Sequence, residues 1–408
     1  MRTGRKIVLS DQTKGMLNLL GIQGLFWFGW SFAGFQTVYL QNNGMTSSDI
    51  GILNSVSSIV GIFAAALWGI IADRINSVKI TFIVSLVLSA ISVAVMPLLP
   101  AHAQYAATMF IIYCAAANLV RNPLGTLLDN LTIRNCTAQH LNYGPIRAFG
   151  SFTYTIANTL CTLMLRRMDV KWTFWLTFLF MIPPIIFVCY AHDPKVIVAP
   201  RQKGDKSDLK ALFGNYYYIT FLVFMALLYI PLSTEGAFIT YLMAEKGIPN
   251  TNIGLFNAVR AFLEIPFLFF IVKIRRRFKL KYIVMAACAL MGVECLFLGL
   301  FADTFSKIIL FACIYGLGSG LFIGSVSMYV YKLAPDSLKA SAQSFYASVV
   351  SAAAIIGHLV GGFAYDLLGG SVFYVVIGTG IIAVVGFFAL THLWGKMKGC
   401  ENPADIPD

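Results

Sequence analysis

The sequence predicts an all-α membrane protein whose twelve transmembrane helices form two pseudo-symmetric bundles of six. Three observations indicate this class. Of the 408 residues, 58% are hydrophobic and only 12% are charged, which is about half the charged fraction of a soluble domain. Twelve stretches have the length and apolar character of bilayer-spanning helices. A single long polar stretch in the middle of the chain separates six of them from the other six.

Each predicted span contains about 20 mostly apolar residues, enough for a helix to cross the hydrocarbon core. The run that begins at Met16 is longer than a signal-peptide core, and no small-residue cleavage site follows it, so we interpret it as an uncleaved first span. The predicted spans are residues 16–40, 49–72, 78–98, 105–130, 143–166, 171–191, 217–242, 252–273, 282–302, 306–332, 340–366 and 370–394.

The polar stretch between the sixth and seventh spans contains two prolines and charges of both signs, which is typical of a linker. The chain therefore divides into an N-terminal half (residues 1–192), a cytoplasmic linker (193–215) and a C-terminal half (216–408).

The distribution of basic residues predicts the orientation. With the N-terminus in the cytoplasm, and with residues at the span ends counted in the adjoining segment, 22 of the 30 Lys and Arg residues are inside, 5 are outside and 3 lie deep within spans. Because basic residues concentrate in cytoplasmic loops, we expect both termini to be cytoplasmic. The net charge of +12 has the same explanation and does not indicate a nucleic-acid partner.

Motifs of other protein classes are missing from the sequence. The eight cysteines lie mostly in apolar runs, and none forms a C-x-x-C pair, so we predict no metal site and no cofactor. The sequence has no Walker loop, no H-E-x-x-H and no G-x-S-x-G, which argues against an enzyme and against ATP-driven transport.

Two opposite charges flank the turn between the fourth and fifth spans. Asp129 and Arg147 each lie nine residues from Ala138, at the centre of the polar stretch 135–142. In antiparallel helices that rise about 1.5 Å per residue, they reach the same depth and can face each other. Opposite charges in an apolar setting are tolerated as a pair. We therefore predict either a polar substrate site or a structural salt bridge.

The second half carries isolated acids inside predicted spans, namely Glu235, Glu264 and Glu294. Arg260 precedes Glu264 by four residues, so the two share a helix face and can form a pair. Acids inside a membrane are candidates for function, and burial suits a carboxylate to carry a proton. We rank Glu264 first and Glu294 second as proton carriers, and expect Glu235 to lie nearer the outer surface.

The loop after the second span, GIIADRINSVKI, resembles the signature loop of the major facilitator superfamily, G-x-x-x-D-R-x-G-x-x-K. Gly69, Asp73, Arg74 and Lys79 occupy the matching positions, and Asn76 stands where the superfamily usually has glycine. Asparagine also tolerates a left-handed backbone, so this departure is mild. The resemblance implies a cytoplasmic gate at these residues, whereas a purely topological role for the charges remains open.

The segment YGPIRAFGS at residues 143–151 resembles the start of the fifth helix in the lactose permease and nucleoside permease branch of that superfamily. The branch carries an acid 18 residues before the arginine, and Asp129 occupies that position. The resemblance implies that Asp129 and Arg147 bind solute hydroxyls and that the ring of Tyr154, two turns beyond, covers the solute. It also implies a role for Glu264, whereas the branch's coupling residues on the tenth helix have no counterpart here.

These observations lead us to expect a secondary transporter that works as a monomer in the inner (cytoplasmic) membrane of a bacterium. Its partners are predicted to be protons, the lipid bilayer and a small hydroxylated solute, a sugar or nucleoside, moved by symport. Two alternatives stay open. One is efflux of amphipathic compounds by proton antiport, favoured by the aromatic residues of the first span. The other is a membrane sensor or scaffold that transports nothing.

Overall fold

The structure, a computed structural model, describes residues 11–100, 105–193, 212–335 and 338–405. These residues form α-helices and short 3-10 turns, with no strand among them. The predicted linker 193–215 and the basic N-terminal residues before Asp11 lie almost wholly outside the described part of the chain. In the first half the helices are α1 (Asp11–Ala33), α2 (Gln36–Asn42), α3 (Ser47–Ile75), α4 (Val78–Val95), α5 (Ala106–Arg121), α6 (Leu124–Ala138), α7 (Tyr143–Met164), α8 (Trp172–Met181) and α9 (Pro183–Tyr190).

The second half consists of longer, unbroken helices. Here α10 and α11 run through an internal proline, at Pro231 and Pro266 respectively. The helices are α10 (Tyr216–Glu245), α11 (Ile253–Arg277), α12 (Leu280–Phe301), α13 (Phe305–Leu333), α14 (Lys339–Leu368) and α15 (Gly370–Met397).

Nine helices in the described ranges are long and apolar enough to cross a membrane. The predicted spans 16–40, 105–130 and 143–166 correspond to α1–α2, α5–α6 and α7, which fall outside those nine. Two of these three are broken, after Ala33 and after Arg121. They also carry polar residues that line the interior of the protein, among them Gln36, Arg121 and Arg147, and this polarity lowers their hydropathy.

Many of the large side chains that point outward are apolar. Phe63 is 68% exposed and Leu390 is 64% exposed, and such a surface is unfavourable in water. In lipid, apolar burial no longer drives helices together, so close packing and hydrogen bonds hold them instead.

The two halves are joined at the end of the molecule where α3 begins. The hydroxyls of Ser47 and Ser48 donate hydrogen bonds to Asp366 at the end of α14, and the Ser48 N–H donates to Asp366 Oδ2 at 3.0 Å. At the same end Tyr241 Oη donates to the carbonyl of Met45 at 2.6 Å. A buried apolar cluster also extends from the first half into the second at this end.

Close approach of α3 to α14 requires glycine at two positions. A Cβ atom at Gly51 would lie 2.5 Å from the His358 carbonyl oxygen, and one at Gly362 would lie 2.7 Å from the Ser47 carbonyl oxygen. Both distances are well inside van der Waals contact. The contact between the halves therefore depends on backbone packed directly against backbone.

Candidate functional site

A polar cavity lies between the two halves and has two adjoining lobes. The larger has a volume of about 710 Å³ and the smaller about 310 Å³. The lobes share four lining residues, two from the first half and two from the second: Trp27, Trp30, Arg260 and Tyr315. Because both halves form its walls, this cavity is the place where a solute can contact both at once.

The hairpin of α6 and α7 has the geometry that the sequence predicts. The α6 helix continues to Ala138, so the turn is shorter than the polar stretch suggested. Arg147 Nε lies 3.8 Å from Asp129 Oδ1, and the two side chains are 31% and 38% exposed. Tyr143 Oη donates a hydrogen bond of 2.9 Å to the same carboxylate. The pair is therefore loose and partly open to solvent.

Arg147 belongs to the cavity wall, whereas Asp129 stands behind it. The Arg147 guanidinium carbon lies 4.5 Å from the centre of the Trp27 ring, and Nη1 donates to Ser151 Oγ at 3.3 Å. Arg147 and Tyr154 both line the smaller lobe, and Asp129 lines neither lobe. Of the three residues of the predicted solute site, two face the cavity and the third holds Arg147 from outside it.

A buried ionic triad forms the second charged cluster. Arg260 Nη1 donates to Glu235 Oε2 at 2.9 Å, and Nη2 donates to both Glu235 Oε1 and Glu294 Oε1. The two carboxylates are 1% and 0% exposed, and the guanidinium lies between the rings of Phe256 and Tyr315. With both acids ionised, this cluster carries one excess negative charge.

The triad corrects two predictions. Arg260 does not pair with Glu264 one turn further along α11; its guanidinium points instead toward α10 and α12. Glu235 is buried in the interior on the cavity wall rather than near the outer surface. Helical spacing places Arg260 and Glu264 on one face but leaves open which neighbour each long side chain reaches.

Glu264 occupies the smaller lobe, opposite the first half. Its Oε1 accepts a hydrogen bond of 2.7 Å from Ser319 Oγ on α13. It lines the same lobe as Arg147 and Tyr154. The structure thus separates the intramembrane acids into Glu264, which has no arginine partner among the described residues and lines the smaller lobe, and two acids bound to the arginine of the triad, of which Glu235 lines the larger lobe.

The signature loop has an ordered backbone but few contacts at its predicted gate. Asn76 ends α3 with φ 56° and ψ 33°, the left-handed conformation that the sequence indicates. Lys79 Nζ donates to the carbonyls of Cys189 and Ala191 at 2.6 and 3.1 Å, so it caps the end of α9. Asp73 and Arg74 are exposed, and a Cβ atom at Gly69 would meet nothing within 4 Å.

Several polar residues of the cavity lie beyond the predicted site. Gln36 and Arg121 line the larger lobe together with Asn54, Asn118 and Asn122. None of these five residues was among the site residues predicted from the sequence. A signal was available for four of them, because polar residues inside the spans of weak hydropathy, 16–40 and 105–130, mark helices that face a water-filled interior. Asn54 lies in the strongly apolar α3 and carries no such signal.

A helical membrane chain with a polar cavity between two halves has the architecture of a membrane transporter. Comparison with known proteins identifies the family. The MFS_1 like family matches residues 23–376, so the chain belongs to it.

Two relatives match most of the chain at low sequence identity. The chain is 24% identical over 363 residues to a maltose permease of Geobacillus stearothermophilus, covering 88% of this chain and 87% of that protein. It is also 24% identical over 368 residues to the uncharacterized transporter YwbF of Bacillus subtilis (strain 168), with coverage of 88% and 87%. Among solved structures, the nucleoside transporter NupG superposes with a TM-score of 0.75 at 18% identity, over 94% of this chain and 99% of that one.

Proposed function

We propose that this chain is a proton symporter for a small hydroxylated solute, a sugar or a nucleoside, that works by alternating access. The observation that carries the proposal is the composition of the smaller lobe. It combines Arg147 and Tyr154 of the first half with Asn257 and Glu264 of the second. The names of the maltose permease and of NupG support the same class of solute.

These side chains suit a hydroxylated ring. A guanidinium donates in a planar fork, a carboxylate accepts from hydroxyl groups, and an aromatic face covers apolar C–H groups. Trp27 and Tyr154 meet edge to face with their ring centres 6.3 Å apart. They offer adjoining apolar surfaces beside the Arg147 donors. A solute held here touches both halves and so couples their movement.

We assign the transported proton to the triad rather than to Glu264, the first choice from sequence. Two buried carboxylates share one guanidinium, so one proton removes the excess negative charge of the cluster. Glu264 faces the cavity and has the neutral Ser319 as its hydrogen-bond donor, which suits contact with the solute. Arg260 lines both lobes, so the protonation state of the triad acts directly on the solute site.

The way the halves are joined supports alternating access. We propose twelve transmembrane helices with both termini cytoplasmic, in the bacterial inner membrane and active as a monomer. In that orientation the contact of Ser47 and Ser48 with Asp366 closes the outer end. Rocking of the halves then breaks this contact and opens the cavity outward.

Uptake by proteoliposomes tests the proposal. Purified protein in vesicles with an acidic exterior is expected to accumulate a labelled sugar or nucleoside above the external concentration. An uncoupler that collapses the proton gradient should return the internal concentration to the external one. If a solute from these classes binds but its uptake does not depend on the proton gradient, the symport mechanism is wrong.

Efflux of amphipathic compounds is the second candidate, because Phe26, Trp27 and Trp30 present aromatic surface to the larger lobe. The two functions differ in their need for Arg147. An efflux pump for apolar cations should keep its transport rate in Arg147→Ala, since a guanidinium repels such compounds. A sugar or nucleoside symporter should lose binding of its solute in the same variant.

A further inference from the structure

The proposed solute site leaves the positive charge of the larger lobe unexplained. We propose that Arg121 forms a binding site for an anionic group of the solute, so that the transported compound is a hydroxylated acid rather than a neutral sugar. This inference rests on the proposed function and names the chemical class of its solute.

Arg121 differs from the other two arginines of the cavity in its partners. Arg147 lies beside Asp129, and Arg260 is held by Glu235 and Glu294. Arg121 Nη1 donates instead to the neutral Gln36 Oε1 at 2.6 Å, and its guanidinium carbon lies 5.6 Å from the centre of the Trp30 ring. Within the described ranges, no ion pair joins Arg121 to a carboxylate.

A cation in the interior of a membrane protein is unfavourable without a counter-charge. One amide oxygen and one aromatic face satisfy only part of a guanidinium that has five N–H donors. The remaining donors form a planar fork that matches the two oxygens of a carboxylate or of a phosphate. An anionic ligand supplies the missing charge, and a neutral sugar does not.

The position of Arg121 places this charge on the cavity wall. It is the last residue of α5, directly before the break that separates α5 from α6. Broken helices that line a cavity are the usual location of charged binding sites in transporters.

The rest of the larger lobe suits the hydroxylated part of such a solute. Asn54, Asn118 and Asn122 offer amide donors and acceptors, and the buried His358 Nδ1 has no hydrogen-bond partner among the residues that the structure describes. Glu235 also lines this lobe and repels an anion, although Arg260 holds its carboxylate. The anionic group is therefore expected to bind at Arg121, with the hydroxyl groups extending past these amides toward the smaller lobe and Arg147.

Three matched probes test the inference with the purified full-length protein in detergent: glucuronate, glucose and glucose 6-phosphate. Isothermal calorimetry on the wild type should show that glucuronate binds at least about tenfold more tightly than glucose, as expected when charged hydrogen bonds are added. Preference for glucose 6-phosphate over glucuronate would identify a phosphate as the anion. Equal binding of all three, binding of glucose alone, or binding of none overturns the inference.

Variants of Arg121 test whether this residue causes the preference for the acid. In Arg121→Gln the preference for the acid over glucose should fall to about one, whereas Arg121→Lys should keep part of it because the charge remains. A preference that survives in Arg121→Gln removes Arg121 from the site. The wild-type comparison decides the solute class even if a variant does not fold. Proton-driven uptake of glucose with no preference for the acid overturns this inference and leaves the proposed symport intact.

Discussion

The pair Asp129–Arg147 and the triad Glu235–Arg260–Glu294 both set opposite charges between membrane helices, but they differ in burial and in contact. The pair has one contact of 3.8 Å between side chains that are about one third exposed. The triad has three hydrogen bonds from one guanidinium to carboxylates that are almost fully buried. A loose pair can exchange partners with a solute at low cost. A locked, buried cluster responds instead to a change in its own charge.

Replacing the central arginine of the triad should have the largest effect. Arg260→Ala leaves two acids buried without a counter-charge, and removal of one member of a buried ion pair costs about 3–5 kcal/mol. Thermal unfolding in detergent should show a large fall in the midpoint. The matched control is Lys307→Ala, which breaks the exposed contact of 2.7 Å with Asp303 and should change little.

A triple variant tests whether uncompensated charge causes the loss of stability in Arg260→Ala. Adding Glu235→Gln and Glu294→Gln to Arg260→Ala should restore part of the lost midpoint, because neutral amides are cheaper to bury than carboxylates. If the midpoint of thermal unfolding of the triple variant is no higher than that of Arg260→Ala, uncompensated charge does not cause the loss of stability.

Glu294→Gln should abolish the coupling of solute uptake to the proton gradient and leave solute exchange across the membrane intact. The amide cannot take up a proton, and it removes the excess negative charge of the triad. With one proton per solute, a gradient of one pH unit supports about tenfold accumulation, and this should fall to none in the variant. Solute exchange across vesicles at equal pH should continue. The exposed tail residue Glu401 provides a control, and Glu401→Gln should accumulate solute like the wild type.

The loose pair should matter more for binding than for folding. Arg147→Ala removes charged donors from the smaller lobe and should weaken solute binding about tenfold to hundredfold. Asp129→Asn leaves the Arg147 donors in the cavity and breaks a partly exposed ion pair, so binding should weaken by no more than about fivefold. Equal losses in the two variants would place Asp129 in the solute site.

The smallest effect is expected at Tyr143, which supports the pair from behind. Tyr143→Phe removes the hydrogen bond of 2.9 Å to Asp129 and should lower the free energy of unfolding by about 1 kcal/mol. Solute affinity should stay close to that of the wild type, since Tyr143 lines neither lobe. A large loss of affinity would show that the pair is more rigid than its geometry indicates.

The sequence determined those features that depend on neighbours along the chain. Apolar runs predict the membrane helices. The count of residues on either side of one turn places Asp129 level with Arg147, because two helices joined by a short turn have little freedom to slide. Likewise, the left-handed backbone at Asn76 follows from the residue type at a helix end.

Only the tertiary structure determined which side chains of different helices meet. Glu235 and Glu294 lie 25 and 34 residues from Arg260, and their meeting depends on how three helices rotate about their axes. The sequence pattern alone favoured Glu264 as the partner of Arg260, since both lie on one helix face. The unpaired charge of Arg121 is likewise invisible in the sequence, because it shows only when the packed neighbours prove to be Gln36 and Trp30.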